Sequence, residues 1–259
     1  MYKQIIPNFQ KPLYTLSLYN NKKMLEKVKK LKTEVMPKHI AITTEGKTHW
    51  AKINNKPLQE AYRISLINIK ETIKEQVNLN IPITTFYLLS TDIKDFEPLS
   101  ELVDFLVMFF NELPKLKLVK NNKIKISVLG KWYNLPGRVV EPIKRALDET
   151  KDYDSYFVNF CVNYDGQEEI VDACKLLARQ VKAEKLDPDS IDKSLIKENL
   201  YSSYFLPPDI IIKHGEKKKI PNFLLWDSVN SFIYFSEKLW PDFKKKGFRD
   251  AIKSFQKLL

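Results

Sequence analysis

The stretch HIAITTEGKTHWA, residues 39–51, places a polar segment directly behind a short apolar run. The run HIAIT (39–43) is continuous rather than alternating, which is typical of a strand buried on both faces of a parallel sheet. Comparable runs follow along the chain, and each predicts a strand: IPITTFYLLS (81–90), IKISVLG (124–130), SYFVNFCVNY (155–164), DIIIK (209–213) and FIYFS (232–236). Six such runs predict an α/β fold with a six-stranded, mostly parallel sheet.

Helical segments alternate with these strands, and we expect about seven helices. Apolar spacing predicts them over residues 19–33, 57–77, 97–113, 138–149, 167–183, 189–202 and 241–258. The alternation predicts one doubly covered domain with right-handed crossovers, at residues 19–259, behind an irregular arm at residues 1–18. We also expect a polar turn around Gly46, a short helical turn over 223–229 and an exposed basic connection over 115–125.

The composition limits the kinds of molecule that we expect this chain to bind. The 259 residues carry 43 Lys and Arg against 32 Asp and Glu, so the net charge is +11 and an anionic partner is expected. Neither zinc-ligand spacing nor an RNP-like aromatic signature is present, so no nucleic-acid partner is predicted. We expect the basic helix at 22–32 to dock on its own domain. The alternative is that it makes peripheral contact with an anionic membrane.

Two further patterns bear on location. No run of 18 apolar residues occurs, and the first residues lack the order of a signal peptide. The two cysteines, Cys161 and Cys174, lie in apolar-rich segments, which favours buried thiols in a reducing compartment. We therefore expect a cytoplasmic protein, and the alternative of peripheral membrane contact stays open.

Polar clusters follow most of the predicted strands. Ligands of open parallel sheets bind beyond the carboxyl ends of the strands, so these clusters predict one pocket. They are Thr43–Trp50, Ser90–Asp95, Gly130–Trp132, Tyr164–Gln167 and Lys213–Lys219.

Several blocks together resemble the cis-prenyltransferase family, that of undecaprenyl diphosphate synthase. They are HIAITTEGKTHWA (39–51), PPDIIIKHGE (207–216), KKKIPNFLLW (217–226) and LWPDF (239–243). The resemblance implies condensation of an allylic diphosphate with isopentenyl diphosphate, the use of Mg²⁺, and a dimer. It also implies a hydrophobic tunnel between the sheet and the helices, whose wall we assign to Leu102, Phe105, Leu106 and Phe109.

The same resemblance supplies candidate site residues. Glu45 stands at the family's catalytic, magnesium-binding Asp and is the expected catalytic residue and metal ligand. The residues expected to bind isoprenyl diphosphates are Gly46, Lys47, His49, Trp50, Ser90, Lys213, Lys219 and Asn222.

Several family positions carry other residues here. Phe232 replaces a family Glu, Pro221 a substrate-binding Ser, and Leu58 and Tyr62 an Arg and a His. Losing a hydrogen-bond donor to a charged group costs about 1.5–3 kcal/mol, so several such losses argue against the ordinary reaction in this chain alone. Three hypotheses remain: a divergent prenyltransferase with a rebuilt site, a silent subunit of a heteromeric cis-prenyltransferase, and a lipid-phosphate or membrane-surface binder.

Overall fold

A computed structural model describes residues 35–91, 99–215, 218–219 and 222–259. The arm at 1–18 and the basic helix at 19–33 lie outside the described residues. The described part contains a six-stranded sheet in the order β3-β4-β2-β1-β5-β6, and every strand pair is parallel. The strands are β1 His39–Thr43, β2 Ile83–Tyr87, β3 Ile124–Leu129, β4 Tyr156–Cys161, β5 Ile210–His214 and β6 Phe232–Ser236. The predicted fold class is confirmed.

The first strand in the sequence lies in the middle of the sheet. Along β1, Ile40 pairs with Thr84 of β2 on one side and with Ile210 of β5 on the other. Every residue of β1, β2 and β5 is buried, as their continuous apolar runs predict. The carboxyl ends of β1, β2 and β5 therefore lie side by side.

Eight α-helices accompany the strands in the described part. They are α1 Lys47–Ile53, α2 Leu58–Leu79, α3 Leu99–Glu112, α4 Lys117–Asn121, α5 Gly137–Thr150, α6 Gly166–Lys182, α7 Lys193–Glu198 and α8 Lys245–Gln256. The larger core lies where α2, α3, α5 and α8 meet one face of the sheet, and it includes Ile42, Phe86 and Phe160. A smaller core on the other face includes Tyr87, Cys161 and Tyr164.

Two helices occur where we predicted loops. The expected polar turn around Gly46 is only the beginning of α1, whose Trp50 and Ala51 pack against Ala61 of α2. Because this apolar contact is made by two adjacent residues, no helical spacing shows in the sequence. The basic connection at 115–125 contains α4, which Val119 anchors in the larger core.

Other boundaries differ by a few residues. Strand β2 ends at Tyr87 because the next two amides, of Leu88 and Leu89, both donate to the Cys161 carbonyl. The last helix begins at Lys245 rather than 241, since a 3₁₀ turn occupies Trp240–Asp242. The region 189–202 is helical only over α7, after a 3₁₀ turn at Pro188–Ser190, and the turn predicted over 223–229 lies at Asp227–Asn230.

The cysteine prediction is half right. Both thiols are free and Cys161 is buried, but Cys174 is exposed on α6. Among the described helices, none is long and apolar enough to cross a membrane.

Candidate functional site

The turn after β1 is tightly fixed. Gly46 has φ 91°, a conformation that L side chains rarely adopt, and an added Cβ would lie 2.7 Å from Leu239 Cδ2. The Glu45 carbonyl accepts from the Trp240 amide at 3.1 Å, and the Gly46 carbonyl accepts from the Trp50 amide at 2.8 Å. The backbone at Glu45 is therefore held both by α1 and by the segment after β6.

An ion pair joins this turn to the end of β5. The Lys213 ammonium donates to a carboxylate oxygen of Glu45 and, at 2.8 Å, to the His214 carbonyl. The Lys213 side chain is only 6% exposed, whereas that of Glu45 is 46% exposed. The ammonium is therefore fixed in the protein, while its carboxylate partner has access to solvent.

A second lysine is buried at the same turn. The Lys47 ammonium donates to the Thr44 carbonyl at 2.6 Å, and the Thr44 hydroxyl donates to the Tyr87 carbonyl at 2.8 Å. Lys47 is 7% exposed. The two buried ammonium groups place positive charge at the carboxyl ends of β1 and β5.

Two more predicted residues lie on α1. The Trp50 indole donates to Asp242 at 2.9 Å, which ties α1 to the 3₁₀ turn at Trp240–Asp242. Trp50 therefore positions the turn, and its donor already has an acceptor. His49 is exposed on the same helix, and Lys219 is exposed in the segment after β5.

Asp165 follows the end of β4, and its side chain hydrogen-bonds that of Asn222. Asp165 caps α6 by accepting from the Gln167 and Glu168 amides, and its second oxygen accepts from the Asn222 side-chain amide. The Asn222 carbonyl accepts from the Gly166 amide at 3.1 Å. The donor predicted to reach a diphosphate is thus engaged by a carboxylate, which adds negative charge at the β4 end.

Tyr87 lies among these groups and was missed in the sequence analysis. Its hydroxyl donates to the Tyr164 carbonyl at 3.2 Å and also hydrogen-bonds Ser90. The backbone of Ser90 forms an isolated parallel β-bridge with Tyr164. Burial raises the pKa of Tyr87 well above its usual value, and the charges of Asp165 and Glu45 add to the shift. The feature that could have identified Tyr87 is its position, since it ends β2 and pairs with Thr43 of β1.

His214 is a neutral group in this region. Its ring packs on Trp240 and Phe243, with centroids 5.4 and 4.4 Å away. Burial lowers the pKa of His214 to about 3, and the nearby charge of Lys213 acts in the same direction. His214 therefore adds no positive charge to the site near neutral pH.

Comparison with known proteins identifies the family. Residues 43–258 match the family model described as putative undecaprenyl diphosphate synthase. A tritrans,polycis-undecaprenyl-diphosphate synthase (geranylgeranyl-diphosphate specific) from Thermoplasma volcanium is 37% identical over 238 residues, 90% of each chain. An isoprenyl transferase from Oceanobacillus iheyensis is 30% identical over 223 residues, 85% of this chain and 88% of that one.

This chain belongs to the undecaprenyl diphosphate synthase family. A solved relative with the same fold is lavandulyl diphosphate synthase from Lavandula x intermedia, in complex with dimethylallyl diphosphate. Its TM-score is 0.78 at 28% identity, over 85% of this chain and 95% of that chain. The family resemblance seen in the sequence is thereby confirmed, and the similar proteins are cis-prenyltransferases.

The residues assigned to the tunnel wall line one side of the larger core. Leu102, Phe105, Leu106 and Phe109 are all buried. Phe105 stacks on Tyr62 with centroids 4.8 Å apart, and Phe109 meets Phe160 of β4 edge-on at 5.0 Å. The tunnel wall itself stays a prediction, but these side chains do lie between α2, α3 and the sheet.

Three positions at which the resemblance implied polar family residues lie against the apolar core. Tyr62 is buried against Phe105, and Leu58 packs partly buried on the core. Phe232 opens β6 and lies against Phe255 of α8 at 6.4 Å. Pro221 lies outside the described residues. All three side chains take part in apolar packing.

The described residues do not assemble a metal site by themselves. Among residues 35–91, 99–215, 218–219 and 222–259, no group of three His, Cys, Asp or Glu side chains could hold a metal ion. Mg²⁺ is commonly bound by one or two carboxylates together with substrate phosphates, and Glu45 could supply one. Its carboxylate, however, already has the Lys213 ammonium as counter-ion.

Proposed function

We propose that this chain binds an isoprenyl diphosphate at the carboxyl edge of its sheet and takes part in cis-prenyl transfer. The observation that carries the proposal is the Lys213–Glu45 pair, a buried ammonium whose partner reaches solvent. A diphosphate arriving from solvent meets this ammonium where β1 and β5 end. Family membership and the dimethylallyl diphosphate complex of the solved relative support the same ligand class.

Each of the proposed contacts has a physical basis. Lys213 and Lys47 supply charge-assisted donors to phosphate oxygens, which are stronger than neutral ones. The positive φ of Gly46 lets the backbone turn sharply beneath the ligand, and Trp50 holds α1 in place through Asp242. His49, Ser90, Lys219 and Asn222 remain proposed contacts, and Asn222 would have to leave Asp165 to donate.

The apolar chain of the ligand would lie between α2, α3 and the sheet. Leu102, Phe105, Leu106 and Phe109 present an apolar surface there. Burial of apolar area is favourable by about 25 cal/mol per Å², so a long isoprenoid gains much of its affinity from this contact.

A second candidate is a silent subunit of a heteromeric cis-prenyltransferase. It is favoured by Phe232, which lies against Phe255 where family members carry a carboxylate. It is also favoured by the engaged carboxylate of Glu45. In this case the chain would bind a diphosphate, or stabilise an active partner, without forming product alone.

Two measurements separate the candidates. The first is incorporation of labelled isopentenyl diphosphate into product with Mg²⁺ and geranylgeranyl diphosphate, the primer suggested by the name of the Thermoplasma volcanium relative. The second is binding of an uncleavable geranylgeranyl thiolodiphosphate, followed by calorimetry. Product from the purified chain supports the active enzyme. Binding without product, together with higher activity of a co-expressed intact family member, supports the silent subunit.

Controls make the binding result specific. Lys47→Gln should weaken binding of the thiolodiphosphate, whereas Lys185→Gln, an exposed lysine far from the strand ends in the sequence, should not. Equal affinity of all three proteins, or no binding by the parent chain, would overturn the proposed function.

A further inference from the structure

We propose that Asn68, in the middle of α2, is a positioning residue for the candidate diphosphate site. This inference rests on the proposed function and deepens it, because it names the side chain that fixes the turn after β1 from outside that turn. The contact between them is made by the 3₁₀ turn at Trp240–Asp242, which follows β6.

This 3₁₀ turn holds the candidate site on both sides of Gly46. The Trp240 amide donates to the Glu45 carbonyl at 3.1 Å, on the β1 side. The Asp242 carboxylate accepts from the Trp50 indole at 2.9 Å, on the α1 side. A displacement of the 3₁₀ turn therefore moves the Glu45 backbone and α1 together.

The side-chain amide of Asn68 holds the 3₁₀ turn in its place. Its nitrogen donates to two successive carbonyls, that of Trp240 at 2.8 Å and that of Pro241 at 2.9 Å. Its oxygen accepts from the Lys244 ammonium at 3.1 Å, and this ammonium also donates to the Pro241 carbonyl at 3.0 Å. One side chain of α2 thus fixes a backbone segment that lies 172 residues further along the chain.

Asparagine departs from the local pattern of α2. Asn68 is only 4% exposed, on a buried side of the helix that also includes Leu66, Ile69 and Ile73. Burying an amide costs free energy unless its hydrogen bonds are made, and asparagine is a weaker helix former than leucine. A local departure that is compensated by contacts with a distant segment is expected at a functional or strained position.

Asn68 acts on the site through the backbone and makes no ligand contact itself. Without its two donors, the 3₁₀ turn loses two hydrogen bonds to α2, and the partners of Glu45 and Trp50 are no longer fixed. The Lys213 ammonium, which bonds Glu45, then lies beside a displaced turn. Charge-assisted contacts to phosphate require short donor–acceptor distances, so we expect weaker diphosphate binding in a chain that keeps its fold.

The test measures the affinity for geranylgeranyl thiolodiphosphate by calorimetry and the free energy of unfolding by denaturant titration. Asn68→Asp keeps the shape and the acceptor for Lys244 but removes both donors. It should weaken binding roughly tenfold or more, since a misplacement of about 1 Å can cost on the order of a hundredfold in rate. Lys244→Met, which leaves both donors in place, should weaken binding less. Asn68→Ala, a better helix former, serves if Asn68→Asp does not fold.

Thr150→Val is the matched control for a loss of stability alone. Thr150 is fully buried at the end of α5, and its hydroxyl accepts from the Ile126 amide at 3.1 Å and donates to the Ala146 carbonyl at 2.9 Å. The replacement removes a buried contact between a side chain and the backbone, as Asn68→Asp does, but not at the turn after β1. It should lower the free energy of unfolding and leave the affinity unchanged.

The indole N–H signal of Trp50 reports the position of the turn without any ligand. This proton is hydrogen-bonded to Asp242, so its NMR shift depends on where the 3₁₀ turn lies. The signal, assigned with Trp50→Phe, should move in Asn68→Asp and stay in place in Thr150→Val.

Each outcome separates this inference from the proposed function. Weaker binding by folded Asn68→Asp, together with a moved Trp50 signal, supports the positioning role. Parent-like affinity of that variant, a loss no greater than in Thr150→Val, or an unmoved Trp50 signal overturns the inference and leaves the proposed function standing. Absence of binding by the parent chain overturns both.

Discussion

Two buried lysines of this protein form ion pairs of different kinds. The Lys197 ammonium donates to Asp227 at 2.6 Å and to the carbonyl and hydroxyl of Ser202, and both charged side chains are nearly inaccessible. The Lys213 ammonium is equally buried, but its partner Glu45 reaches solvent. We call the Lys197–Asp227 pair, which is shielded from solvent, the closed pair. We call the Lys213–Glu45 pair, whose carboxylate reaches solvent, the open pair.

The difference separates a structural pair from an exchangeable one. Glu169, which accepts from Tyr164 and from the Ser202 amide, extends the Lys197 network on the smaller core. Burial raises the pKa of Glu169, as expected for a carboxyl in a closed apolar setting. Among the described residues, Lys213 belongs to no such network, and the carboxylate partner of Lys213 reaches solvent.

The largest effect should come from breaking the closed pair. Asp227→Asn leaves the Lys197 ammonium buried without its carboxylate, which typically costs about 3–5 kcal/mol. We expect a loss of that size in the free energy of unfolding, measured by denaturant titration. A loss of less than about 1 kcal/mol would mean that this pair is as exchangeable as the open one.

Acid should act through two buried histidines. Burial lowers the pKa of His39 from 6.5 to about 4 and that of His214 to about 3. The unfolded chain takes up protons near pH 6.5 and the folded chain does not, so stability is complete above pH 6.5 and falls as the pH drops towards 4. For His39 alone the loss approaches about 3 kcal/mol at pH 4.

Urea titrations at pH 7 and pH 5 measure this loss. His39→Gln should reduce the difference between the two pH values, while His49→Gln, on the exposed surface of α1, should leave it unchanged. An equal pH dependence in all three proteins would contradict the assignment of His39.

The smallest effects should come from the open pair, and they should be unequal. Glu45→Gln leaves a buried ammonium without its carboxylate and should cost about 1–3 kcal/mol. Lys213→Gln leaves a hydrated carboxylate and should cost about 1 kcal/mol or less. Denaturant titration of both variants measures the difference, with Glu60→Gln at the exposed Glu60–Arg63 pair as a control without measurable effect. Equal losses would show that the two partners are held alike.

Most of the fold could be predicted from the sequence, because six apolar runs without alternation have few other uses. What could not be predicted depends on contacts between distant segments. Helix α1 was missed because its only buried apolar residues are Trp50 and Ala51, which pack on a helix further along the chain. Cys174 was predicted buried from its apolar neighbours, yet its own position on α6 faces outwards.

The residues of the candidate site could be predicted from the sequence, but the ion pair between two of them could not. Glu45, Lys47 and Lys213 were all named from the resemblance, and the structure brings their segments together at the β1 and β5 ends. That Lys213 would bind Glu45 could not be read from residue types, since both were expected to face a ligand. Tyr87 was missed because an aromatic residue at the end of a strand usually contributes only to core packing.

The central position of β1 has a consequence for synthesis. Glu45 and Lys213 are 168 residues apart in the sequence. At roughly 5–20 residues per second, a ribosome needs roughly 10–30 s to add that interval. Throughout this time the β1 edge that later receives β5 lacks its partner, and open apolar edges attract other strands. The nascent chain must therefore be protected for most of its translation, and the candidate site is among the last parts of the molecule to form.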